Sequence, residues 1–336
     1  MKLLSKSLLL SAFAVSSSIA AAIKETHNSS ASTETLKPSE IEHVVLLGDS
    51  YTDRWNEYNF MDGWSFWNRP AAPTGRGSNF EMWPYYLSKY LKTDYVNMAY
   101  SGGTVDWFYL FQGPYKGIKQ QVHELFLYFG GGRSSLTKSF PSSSTMYIIW
   151  IGINDLDVTT LNSPKLDVSA HEGILQQLWE NVDSLYAAGA RHFTFFNVPP
   201  LDQTPLWKSL GSENATIHGE NIANYNSLLQ SKVTTSNKSY KDASFVLFDV
   251  HSVFDEIMAN ASSYGIENTD IPCDNNTGII DCHPGSNCRF DFGANQMLGN
   301  FECFNGENAT QYMWFNGMHP TDRVHQVIGQ KFYESL

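Results

Sequence analysis

Apolar residues in this chain fall into five short unbroken runs, separated by longer stretches in which they recur every three or four positions. The runs are His43 to Gly48, Tyr95 to Ala99, Met146 to Gly152, Phe193 to Val198 and Phe245 to Val250. Hydrophobicity that is continuous rather than alternating predicts strands covered on both faces, the pattern of a parallel sheet. Between the runs, spacings of three and four predict helices over Trp83 to Leu91, Ile118 to Phe129, Ile174 to Tyr186 and Ile222 to Leu229, with a last helix over Asp322 to Tyr333. Strand and helix therefore alternate. The expected fold class is α/β, a three-layer α/β/α sandwich around a five-stranded, mainly parallel sheet.

Two segments depart from this rhythm. Met1 to about Ala22 has a lysine-bearing start, the apolar stretch Leu8 to Val15 and small residues suited to cleavage, so residues 1–22 are expected to be a secretion signal. Its apolar core is shorter than the roughly 20 residues a spanning helix needs. Residues 23–40 are rich in Ser, Thr, Ala and Lys and predict a mobile lead-in to one domain over 41–336. The second departure, at about 262–311, is rich in Asn, Gly and Cys. It reads as a cysteine-containing insertion, expected to wall the active site because it ends beside His319.

All four cysteines, Cys273, Cys282, Cys288 and Cys303, lie in that insertion. Without a Cys-X-X-Cys pair they suit two disulfides better than a zinc site, and three pairings are open. Sequons at Asn28, Asn214, Asn237, Asn260, Asn275 and Asn308 suit a glycosylated, secreted, extracellular protein. The formal charge is −12, and −14 once Lys2 and Lys6 leave with the signal. Such a surface repels nucleic acid and anionic lipid, so neither nucleic acid nor a stable membrane contact is expected as a partner. No Gly-rich phosphate loop follows a strand, and the acidic residues lack metal-ligand spacing. Neither a metal nor any other cofactor is expected.

Candidate chemistry gathers at the strand ends. In parallel sheets ligands bind beyond the carboxyl ends of the strands. Ser50 follows the first strand, Gly102 the second and Asn154 the third. A serine hydroxyl needs a base within hydrogen-bond reach, and His319, in a loop before the last helix, is the best candidate. Negative charge built on an ester oxygen needs fixed donors, which Ser50 N–H, Gly102 N–H and the Asn154 amide can supply. Each of these motifs has a bland reading as a turn or a helix cap. Their order along the chain is what argues for acyl transfer.

The chain resembles the SGNH subgroup of GDSL esterases and lipases over nearly all of Val44 to Leu336. The matching stretches are Gly48-Asp49-Ser50-Tyr51-Thr52-Asp53, Asn97-Met98-Ala99-Tyr100-Ser101-Gly102, Gly152-Ile153-Asn154-Asp155 and Met318-His319-Pro320-Thr321. The resemblance implies the flavodoxin-like sandwich of SGNH hydrolases, Ser50 as nucleophile, His319 as base, and Ser50, Gly102 and Asn154 as oxyanion hole.

One position departs from the family pattern. Three residues before the histidine, where the family usually has Asp, stands Asn316. Three arrangements are open. Asn316 orients His319 through its side-chain oxygen or its backbone carbonyl, or Asp322 replaces the missing acid, or the protein is a catalytically impaired sugar binder.

The chain looks most similar to secreted fungal acetyl esterases of carbohydrate esterase family sixteen. That implies a small-molecule or oligosaccharide ester as substrate, with a lipase or phospholipase-like activity as the alternative. Trp55, Trp64, Trp67, Trp107 and Trp314 are the candidate rings for stacking on sugar.

Overall fold

The computed structural model describes residues 34–54, 78–105, 116–131, 135–273, 279–281, 289–290, 303 and 308–336. Residues 1–22, where a signal was expected, most of the expected lead-in, and Asn28, Asn275, Cys282, Cys288, Trp55, Trp64, Trp67 and Trp107 lie outside them. Five strands, β1 (His43–Gly48), β2 (Tyr95–Asn97), β3 (Thr145–Trp150), β4 (His192–Phe196) and β5 (Ser244–Phe248), pair in parallel in the order β2-β1-β3-β4-β5. The sheet is parallel throughout.

Helices α1 (Trp83–Leu91), α2 (Ile118–Phe129), α3 (Ile153–Asn162), α4 (Val168–Ala187), α5 (Pro205–Ser209), α6 (Ser212–Ser239), α7 (Val250–Ala259) and α8 (Asp322–Glu334) connect and cover the strands. Neighbouring residues of β4 show the two covered faces. Phe195 stacks on Trp179 of α4 at 4.9 Å, while Phe196 packs on Trp83 of α1 at 4.9 Å and Phe332 of α8 at 4.8 Å. Every residue of β3 and β4 is buried, which is why their sequences read as unbroken apolar runs.

The structure adds three helices the pattern did not predict, α3, α5 and α7, and α4 and α6 are longer than predicted. The run expected to be strand up to Val250 stops at Phe248, because the Asp249 side chain accepts the Ser252 N–H and caps α7. Helix α3 was not predicted, since its sequence Ile153-Asn154-Asp155-Leu156-Asp157-Val158-Thr159-Thr160-Leu161-Asn162 is mostly polar, with little apolar periodicity to mark it as a helix. Helix α6 is far longer than predicted. His218, Ile222, Tyr225, Leu229 and Val233 make a narrow buried stripe on an otherwise polar helix.

In the insertion, the segment from Ile266 lies along 311–314. Met313 N–H donates to Asn268 O at 2.8 Å and Cys273 N–H to Trp314 O at 2.9 Å. A disulfide joins Cys273 to Cys303, one pairing out of the set left open by the sequence. A short antiparallel pair, β6 (Ile279–Asp281) with β7 (Arg289–Phe290), also belongs to this region. The described part of the insertion therefore braces the stretch that leads into Asn316 and His319.

Of the sequons, Asn260 and Asn308 are exposed, Asn214 is half-buried, and the Asn237 amide pairs with both backbone groups of Phe245. Among the described residues no helix is long and apolar enough to cross a membrane.

Candidate active site

Strand β1 is flanked by β2 on one side and β3 on the other, so the chain leaves it in opposite directions and a crevice opens at its carboxyl end. Ser50 stands two residues past that end. Gly48 permits the close approach: a Cβ there would lie 2.4 Å from the carbonyl oxygen of Trp150. Just past β2 the chain gives Gly48 O the Tyr100 N–H at 3.1 Å, and Gln121 of α2 completes the pairing, accepting from Gly48 N–H at 2.9 Å and donating to Gly48 O at 2.7 Å. Sequence reasoning missed Gln121, whose signal was a lone polar residue in the buried stripe Ile118, Val122, Leu125.

The structure brings Ser50, His319 and Asn316 together across 269 residues of chain. His319 Nε2 lies 2.8 Å from Ser50 Oγ, and His319 Nδ1 lies 3.0 Å from Asn316 Oδ1. The same Asn316 oxygen accepts backbone N–H from Met318 at 3.0 Å and from His319 at 2.8 Å. Those two donors settle which end of the amide faces the imidazole, because the NH2 end would oppose two N–H groups. An amide oxygen only accepts, so Nδ1 carries the proton. Nε2 is left bare to accept from Ser50. Asn316 Nδ2 is buried with no partner among the described residues.

The loop holding this arrangement is tied at several points. Phe315 N–H donates to His319 O at 2.8 Å, Leu206 N–H to Gly317 O at 2.8 Å, and the Tyr51 hydroxyl to Met318 O at 2.5 Å. Asp322 is engaged elsewhere, its Oδ1 accepting the Tyr86 hydroxyl and its backbone N–H donating to Asn79 Oδ1 at 2.7 Å. The group facing His319 Nδ1 is Asn316.

Electrostatically the site is dry. His319 is 3% exposed, and burial pushes its pKa down to about 4. A second buried imidazole, His325 of α8, is held neutral in the same way, with its pKa pushed down to about 3 by burial and by His319. Asp49, beneath the serine, is fully buried. Desolvation raises its carboxyl well above the usual range, although the Tyr51 N–H bond works against it, and Asp155, Asp157 and Asp53 add to the rise.

On the oxyanion side, Gly102 has a φ of 73°, the left-handed conformation that glycine adopts without strain. Among the described residues no acceptor takes Ser50 N–H or Gly102 N–H. Asn154 Nδ2 donates one hydrogen to Gly103 O at 2.8 Å and keeps the other. Trp314 is a correction. Expected as a sugar-stacking ring, it is fully buried, packs on Phe254 and donates to Thr269 O at 2.8 Å, so it braces the loop.

A bare imidazole nitrogen on a serine hydroxyl at the edge of a parallel sheet, with donors spare beside it, is the arrangement of a nucleophile and base suited to acyl transfer. The chain belongs to the family described as GDSL-like Lipase/Acylhydrolase, whose profile matches residues 44–332. It is 24% identical over 302 residues to the thermolabile hemolysin of Vibrio parahaemolyticus, covering 89% of this chain and 65% of that protein. It is 22% identical over 332 residues to an acetylesterase of Hypocrea jecorina, covering 87% and 88%. The chain thus spans just under two thirds of the hemolysin's length. Among solved structures, Axe2, an acetylxylan esterase from Geobacillus stearothermophilus, superposes with a TM-score of 0.42 at 12% identity, covering 89% of this chain and 95% of that one.

Proposed function

We propose that this protein is a secreted serine esterase that removes short acyl groups, acetyl above all, from carbohydrate esters through a Ser50–His319 dyad. The observation that carries this reading is the orientation of Asn316. Changing the triad Asp to Asn in a serine protease costs about 10⁴ in kcat because the imidazole adopts the wrong tautomer. Here two backbone N–H groups turn the amide oxygen toward Nδ1, so the productive tautomer is kept without the acid.

In the first half-reaction Ser50 Oγ bonds to the ester carbonyl carbon and its proton passes to His319 Nε2. The carbonyl oxygen becomes an oxyanion, held by Ser50 N–H, Gly102 N–H and the spare Asn154 hydrogen. Collapse breaks the bond to the alcohol, which leaves with the proton from His319. Water then gives a proton to His319 and attacks the acyl-serine. Carboxylic acid leaves, and Ser50 recovers its proton. Asn316 offers the imidazolium a dipole but no counter-charge.

The acetyl preference is supported by likeness to an acetylesterase that the chain matches over most of both lengths. Secretion is supported by the pattern of residues 1–22, by sequon density and by the Cys273–Cys303 disulfide, which suits an oxidising compartment. The test is hydrolysis of p-nitrophenyl acetate beside the octanoate ester, with a Ser50→Ala control. Acetate turnover lost in the control supports the proposal. Turnover mainly of octanoate replaces it with a lipase, and none on either ester leaves an impaired sugar binder.

A further inference from the structure

The loop that presents Gly102 is held from both sides by carboxylates that have no assigned role. Asp53 Oδ2 accepts Ser101 N–H at 2.8 Å and the Ser101 hydroxyl at 3.0 Å. Four residues further along, Val105 N–H points between the two oxygens of Asp155, at 3.0 and 3.2 Å. Both acids are essentially excluded from solvent, at 1% and 0% exposure. Between them Gly103 N–H turns back on Tyr100 O at 2.8 Å, and Gly103 O takes the Asn154 amide. The N–H groups of Ser101, Gly103 and Val105 are thus each given an internal acceptor, and that of Gly102 has none among the described residues.

We propose that Asp53 and Asp155 are positioning residues, a two-sided clamp that aims the Gly102 N–H at the developing oxyanion and fixes it relative to the other two donors. The inference rests on the serine-esterase reading and extends it. Each acid is tied by a short stretch of chain to a donor: Asp53 lies three residues after Ser50, and Asp155 follows Asn154 directly. A shift of the Gly102 loop therefore has to drag either the strand end that carries Ser50 or the helix start that carries Asn154.

Electrostatics points the same way. Buried negative charge near a forming oxyanion opposes it, so these carboxylates make no sense as direct stabilisers. As acceptors for backbone N–H they form charge-assisted bonds about twice as strong as neutral ones. Packing leaves the loop little alternative: a Cβ on Gly103 would lie 2.7 Å from Tyr100 O and 3.1 Å from Gly48 O.

The test compares Asp53→Asn, Asp53→Leu, Asp155→Asn and Asp155→Val with the parent enzyme, counting active sites with a p-nitrophenyl phosphonate. Per titrated site, the Leu and Val variants should lose on the order of 10–100-fold in kcat for p-nitrophenyl acetate, with KM within about twofold, as expected for a misaimed oxyanion donor. A boronic acid, which forms a tetrahedral adduct on Ser50, should weaken by the same factor as kcat/KM, while inhibition by planar acetate stays unchanged. The Asn variants, which keep one acceptor oxygen, should recover part of the loss. If boronate affinity and kcat per site hold while only thermal stability falls, the acids are merely structural and the clamp is wrong. If Ser50→Ala hydrolyses the ester as well as the parent, the esterase reading itself fails and the clamp with it.

Discussion

Replacing Asn316 with Asp would put a negative charge on the atom that now accepts His319 Nδ1–H at 3.0 Å. The new carboxylate would stay ionised, because it would accept the same three N–H bonds, an environment that stabilises the charged form. With about 4 Å between charge centres and an effective dielectric near 20, its attraction for imidazolium is about 4 kcal/mol, or roughly three pKa units. His319 now sits at about 4 because burial disfavours its charged form and the facing group is neutral. The acidic limb of the pH profile reports the protonation that silences the base. It should therefore lie near pH 4 in the parent and move up to roughly 6 to 7 in Asn316→Asp. A stronger base should also raise the plateau of kcat/KM, by on the order of tenfold. The assay is kcat/KM for p-nitrophenyl acetate across the acidic and neutral range at constant ionic strength, with folding followed by circular dichroism at each pH. Limbs coinciding within about half a pH unit would refute the argument that the group facing Nδ1 sets the base strength.

Three further outcomes follow from the packing. His319 and His325 are buried and neutral, with pKa values of about 4 and about 3 against 6.5 for a free imidazole, so below pH 6.5 the unfolded chain binds protons that the folded one does not. Stability should be full above pH 6.5 and fall as the pH drops toward those values, by roughly 3 kcal/mol or more for each histidine; urea titrations at several pH values should show it, with a shallower fall in His325→Leu. Gly48→Ala should destabilise by at least ~2 kcal/mol because its methyl meets a backbone oxygen, whereas Gly173→Ala, in open space on α4, should stabilise by up to ~1 kcal/mol. Cys273→Ser opens a cross-link spanning 30 residues, and denaturant unfolding should register a loss of about 3–4 kcal/mol.

The hydrophobic pattern carried most of the architecture by itself. Burial on both faces forces unbroken apolar runs, so all five strands were legible to within two residues at either end. Helix α7 was not legible, because its first residue, Val250, continues the apolar run of β5. The order Ser50, Gly102, Asn154, His319 was also readable, since each motif directly follows a strand or precedes the last helix.

What the chain's order could not supply was which atoms meet. In sequence all three readings of Asn316 stayed open, with orientation of His319 by Asn316 placed first because the nucleophile, the base and the oxyanion donors were all present. Only the fold brought the Met318 and His319 N–H groups onto Oδ1, and that contact decides the tautomer of His319. Trp314 read as a surface ring until the insertion was seen to pack over it. Gln121 drew no reading in sequence, and only the fold sets its amide against both backbone groups of Gly48. Cys273 had three possible partners until Cys303 was brought against it. Periodicity is a local property that burial writes into neighbouring residues, and it survives reading one chain alone. Partnership between residues far apart depends on distances and directions that exist only once the sheet has formed.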